Sequence, residues 1–98
     1  MDINYNKEAE KLTVMPEGRL DTLTARELEA AFSDLLTGVS ELILNMEKVT
    51  YVSSAGLRVI LKIQKIMMKQ GTMKLTKLNE GVMEVFEITG FSSILKIE

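Results

Sequence analysis

Among the 98 residues there is no cysteine, no histidine, no tryptophan and only one proline. Without cysteine there is neither a disulfide framework nor a thiolate metal site, so a reducing cytoplasm is the expected location. Without histidine, Ser-His-Asp chemistry, imidazole general-base catalysis and the commonest zinc ligand all fall away. Long apolar runs are missing too: no stretch approaches bilayer length, and "MDINYNKEAEK" lacks the basic and apolar regions of an export signal. Neither membrane insertion nor export is expected. A net charge of -2, with three Phe and two Tyr not interleaved with basic residues, argues against direct nucleic-acid binding.

What remains is a chain that is 46% hydrophobic and 27% charged, enough to build one core and too short for two domains. Residues 1–98 are read as a single domain with no internal repeat or linker. "DINYN" and "KLTVMPEG" flank a charged turn, which predicts a hairpin of strands near 2–6 and 11–16, with Pro16 at a strand end. Leu28, Ala31, Phe32, Leu35 and Leu36 recur at helical spacing, and Thr24 with Glu27 has the form of a capping box. A helix over 24–37 ending at Gly38 follows. Leu42, Ile43 and Leu44 in a row read as a strand buried on both faces.

A second helix is expected over 54–70, before Gly71. Arg58, Lys62, Lys65 and Lys69 share one stripe of it, and the rest is apolar over roughly 220°, more than a helix on one sheet needs. That arc must also meet a neighbouring helix or another protein. The basic stripe suits a solvated face or an acidic partner, and Met67 and Met68 suit core filling or an adaptable surface. "TMKLTKL" reads as a strand, "EGVMEVFEITG" as a short helix and "SSILKIE" as a last strand. The order β-β-α-β-α-β-α-β predicts an α/β fold, with helices packed on a central mixed, largely parallel sheet.

Two places could carry chemistry. In "YVSSAGLRVILKI" two serines stand where a strand meets a helix, and a cap needs only one hydroxyl. Either Ser53 or Ser54 could cap, and a hydroxyl there lies where phosphate is favoured; a plain cap accounts for one of the two. In "EGRLDTLTA", Gly18 permits an unusual backbone and Asp21 stands ahead of the expected cap, positioned for a partner contact or an Asx-type turn. Ser54 as a nucleophile lacks a base, Lys62 being an ordinary surface residue, so no enzyme is expected. No Gly-rich phosphate loop and no recognised ligand spacing among Asp2, Asp21 and Asp34 is present, so no cofactor and no metal are expected.

"GRLDTLTA" followed by "LILNMEKVTYVSSAGLRVILKI" resembles the STAS domain family, and within it the small bacterial anti-sigma factor antagonists. The resemblance spans nearly the whole chain. It implies a phosphorylation-controlled binding module: the unphosphorylated antagonist binds an anti-sigma factor that is also a serine kinase, and so frees a sigma factor. The kinase then modifies one serine, and a PP2C-type phosphatase restores it. Matching "SSAGLRVIL" to the family's common "DSSGLGVIL" puts the acceptor at Ser54. Asp21, Thr22, Ser53, Gly56 and Arg58 then belong with Ser54 to the partner-binding face, Gly56 letting a partner approach the backbone. Ser53 stands where aspartate is usual, Ala55 replaces Ser or Thr, and Arg58 replaces a frequent glycine. The alternative is an accessory subunit of a transporter or other signalling complex, in which the serine only caps. A monomer is expected.

Overall fold

Strand β2 (Lys11–Leu20) sets the plan of the molecule. Leu12, Val14, Pro16 and Leu20 are buried, while Thr13 and Met15 between them are half-buried, the two-residue period of a strand with one face on the core. The computed structural model describes all 98 residues, Met1 to Glu98. Strand β1 (Asp2–Glu8) folds back on β2 as an antiparallel hairpin, with Ile3 opposite Pro16 and Glu8 opposite Lys11.

On its other side β2 has two successive parallel neighbours. β3 (Glu41–Asn45) pairs with Lys11 to Val14, and β4 (Val49–Val52) pairs with Gly18 to Leu20. β5 (Thr72–Thr76) lies parallel to β3 on its far side. The gap between the two neighbours resolves the proline. The sequence predicts a strand ending at Pro16, yet β2 runs on to Leu20. Pro16 falls between Val14, the last residue paired with β3, and Gly18, the first paired with β4, where no parallel ladder needs its missing N–H. Gly18, at φ +110°, sits where the register shifts before Arg19.

β4 is absent from the sequence-predicted order. It resumes the line of β3 after a turn in which Asn45 Oδ1 accepts from Glu47 N at 2.9 Å and Met46 O from Val49 N at 3.0 Å. Four residues are too few to show a period. At the other end, the predicted last strand is a 3-10 turn (Phe91–Ser93) followed by a single parallel bridge, Leu75 to Ile97.

Helices α1 (Thr22–Leu35) and α2 (Ser54–Met68) pack together over the core face of the sheet, and α3 (Glu80–Ile88) lies against β4. Asn79 ties α3 in place twice: its Oδ1 caps the helix through Val82 N at 2.8 Å, and its Nδ2 donates to Val49 O at 3.0 Å. One core of 23 apolar residues results, with no buried polar or charged residue. Leu42 and Leu44 are in it but Ile43 is half-buried, which corrects the expectation of a β3 covered on both faces: α1 and α2 cover only one. The wide apolar arc of α2 is absorbed mainly by α1 and the sheet, leaving Ile66 and Met68 exposed.

Candidate functional site at two helix starts

β2 and β4 end side by side, with Arg19 opposite Tyr51 and Leu20 opposite Val52. The next residues, Asp21 and Ser53, are the caps of α1 and α2. Ser53 N donates to Leu20 O at 2.8 Å, so the chain entering α2 is fastened to the strand that feeds α1. Two residues 32 positions apart thus become neighbours through one strand pairing, and the separately predicted Asp21 and Ser53-Ser54 segments form one surface.

The start of α1 is not where the sequence pattern puts it. Thr24 and Glu27 have the form of a capping box, but Asp21 is the cap and Thr24 its partner. Asp21 Oδ1 accepts from Thr24 N at 3.1 Å, and Asp21 N donates to Thr24 Oγ1 at 2.8 Å. Thr24 Oγ1 also lies 2.6 Å from Arg19 O and 3.0 Å from Asp21 Oδ1, so its one proton is shared between them. These bonds from Thr24, the backbone one foremost, hold the Asp21 carboxyl below the usual carboxylate range, against the opposing effect of desolvation. Thr22 is the first residue of the helix and is exposed.

At α2 the two serines divide the work. Ser53 Oγ accepts from Gly56 N at 3.2 Å and Ser53 O from Leu57 N at 2.9 Å, so Ser53 is the cap. Ser54 is the first helical residue; it is exposed, and its hydroxyl has no hydrogen-bond partner in the chain. Gly56 faces inward. A Cβ on it would lie 2.9 Å from Leu20 O and 2.8 Å from Leu20 Cγ, so glycine is what lets α2 sit on the end of β2. This corrects the expectation that Gly56 opens the backbone to a partner: the space beside it is already filled by Leu20.

Arg58 is exposed one turn further on, as are Lys62, Lys65 and Lys69 of the same stripe. Arg58 lines an open depression of about 300 Å³ between α1 and α2, with Thr22 and Arg26 on one side and Ala55 and Val59 on the other. A hollow of about 370 Å³ near Gln64, Met68 and Lys74 lies at the opposite end of α2 and is unconnected with these residues. The sequence reading singled out neither Arg26 nor the Arg19–Tyr51 pair, in which the guanidinium carbon stands 4.2 Å from the ring centre. The strand pairing that joins Arg19 to Tyr51 is made by β4, the element without a legible period.

Chemically, this surface offers two exposed hydroxyls, Thr22 and Ser54, one ionised carboxylate and several exposed cations. The sequence model of the STAS domain matches residues 2–98. The chain belongs to the STAS domain family. BtrV of Bordetella bronchiseptica, named as an anti-sigma factor antagonist, is 34% identical to this STAS chain over 99 residues, covering 99% of the chain and 85% of BtrV. The anti-sigma-B factor antagonist of Bacillus subtilis is 28% identical over 98 residues, covering 99% and 90%. In fold the STAS domain matches the unphosphorylated anti-sigma factor antagonist SpoIIAA with a TM-score of 0.84 at 19% identity, covering 99% of this chain and 88% of that one. No helix of the chain is long and apolar enough to cross a membrane.

Proposed function

We propose that this STAS domain is an anti-sigma factor antagonist whose binding is controlled by phosphorylation of Ser54. The observation that carries this reading is the division between the two serines. Ser53 is occupied as a cap, whereas Ser54 is exposed and bonded to nothing in the chain. Capping therefore does not use the Ser54 hydroxyl, which is open to modification. The antagonist names of BtrV and of the Bacillus subtilis relative supply the function class. SpoIIAA of Bacillus, solved in both unphosphorylated and phosphorylated forms, supports the view that this fold tolerates the modification.

In this reading the unphosphorylated surface around Asp21, Thr22, Ser54 and Arg58 docks on an anti-sigma factor that is a serine kinase, and a sigma factor is released. Ser53 and Gly56 serve the surface from behind, by fixing where α2 starts. The kinase transfers the terminal phosphoryl group of a nucleoside triphosphate to Ser54 Oγ, with loss of the hydroxyl proton and departure of the diphosphate. The modified serine carries about -1.5 to -2 charges at pH 7, which an interface would have to desolvate. The helix start tolerates that charge within the protein, so binding is lost while the fold persists. A PP2C-type phosphatase reverses the step. The protein acts by binding, in the cytoplasm, as a monomer.

The test is co-expression with candidate anti-sigma kinases followed by intact-mass measurement and site mapping, beside a Ser54→Ala control. One added phosphate at Ser54, absent from the control, is the expected result. An unmodified protein beside a kinase that is active on another substrate would overturn the reading in favour of a structural subunit whose serine does no more than start a helix.

A further inference from the structure

Arg58, four residues after Ser54 in α2, and Arg26, which shares a depression with it from α1, have no counter-ion. The structure contains six ion pairs, joining the amino terminus to Glu27, Lys11 to Glu41, Lys62 to Glu29, Lys74 to Glu98, Lys77 to Glu47 and Lys96 to Glu98. Arg26 and Arg58 are in none of them, although both line the depression between α1 and α2. Glu29 is the one carboxylate in that lining, and it is taken by Lys62. Asp21 at the head of α1 is engaged by Thr24.

Position does the rest. Arg58 follows Ser54 by four residues within α2, so their Cβ atoms lie about 5–6 Å apart on one helix face. An acidic group at the earlier position and a basic group four later is the favourable order for such a pair. Arg26 approaches the same depression from α1, where Ala55, the residue after Ser54, contributes only a methyl group. A guanidinium carries a planar fork of N–H donors that matches two phosphate oxygens at once.

We propose that, once Ser54 is phosphorylated, its phosphoryl group is captured within the chain by Arg58, with Arg26 closing on it from α1. This rests on Ser54 being the modified residue and adds how the modified state is held. Two unpaired cations are then engaged by the chain's own phosphate, and an acidic segment of a partner can no longer use them. The switch subtracts positive charge from the depression as well as adding negative charge beside it.

The experiment needs no kinase. Phosphoserine is installed at position 54 of the full chain by genetic encoding, and the phosphate is titrated by phosphorus NMR in the parent and in the Arg58→Gln and Arg26→Gln variants. Both arginines are exposed, and circular dichroism verifies the fold of each variant. Capture favours the dianion, so the phosphate of the parent titrates lower than in Arg58→Gln by about 0.3 unit, the equivalent of one surface ion pair of this spacing. Arg26→Gln gives a smaller displacement in the same direction. Identical titration in the parent and Arg58→Gln overturns the proposal. Mass mapping of natural Ser54 with a kinase decides the underlying reading separately, so the two can fail independently.

Discussion

At the start of α1 the cap is bonded in both directions: Asp21 accepts from Thr24 and donates to it, and its carboxyl is held ionised by those contacts. At the start of α2 the bonding runs one way, from Gly56 N to Ser53, and the next side chain is left with nothing to do. The two helices leave paired strand ends, Leu20 beside Val52, and the cap of α2 donates its backbone N–H to Leu20, the residue before the cap of α1. They differ in the cap itself: at α1 it is a charge engaged in both directions, at α2 a neutral hydroxyl engaged in one, while the residue after each cap, Thr22 and Ser54, keeps an exposed hydroxyl. A surface framed by two fixed caps can change its chemistry at the residue beside a cap without changing its frame.

That contrast can be broken from several directions. Gly56→Ala should have the largest effect, because the added methyl meets Leu20 backbone at 2.9 Å and α2 must move off β2; overpacking of this kind costs about 2 kcal/mol, read by urea denaturation. Ser53→Ala removes the cap and should cost about 1 kcal/mol in the same measurement. Ser54→Ala, at an exposed residue with no partner, should stay within about 0.5 kcal/mol of the parent. If the Ser53 and Ser54 values were exchanged, the division of labour between the serines would be wrong.

The α1 side is tested by acid. The Asp21 carboxyl titrates lower in the folded protein than in the unfolded chain, whose value is about 3.9. Its contribution is therefore fully present above that value and fades as pH falls through the lower, folded one. Asp21→Asn keeps a good cap but cannot titrate, so its stability should decline less steeply than that of the parent below about pH 4. Parallel curves for the two proteins would remove the charge from the account of this helix start.

The long periodic elements were legible in the sequence because burial follows their period: α2 shows it over fifteen residues and α1 over fourteen. The helix start at Asp21 was not, since two overlapping frames, Asp21 with Thr24 and Thr24 with Glu27, both have capping form. The strand length decides between them. β2 continues through Pro16 and Gly18 to Leu20, which leaves Asp21 as the residue where the helix must begin. Pro16 and Gly18 both argue against a strand locally, and they are tolerated because the ladder changes partners there, a long-range fact with no local signature. The stretch "SSAGLRVIL" was legible as a site, but the inward role of Gly56 depends on Leu20, 36 positions away.

The seat of Gly56 on Leu20 also bears on how any enzyme finds Ser54. The hydroxyl is carried by the first turn of a helix clamped to a strand, not by a pliable loop, so it cannot be drawn out into an extended groove without tearing that turn loose. An enzyme acting there would have to read a shape assembled from two distant chain segments that meet at one end of the sheet. A short peptide copied from the sequence around the serine would present the right letters and none of the relief, and should be a poor imitation of the folded substrate.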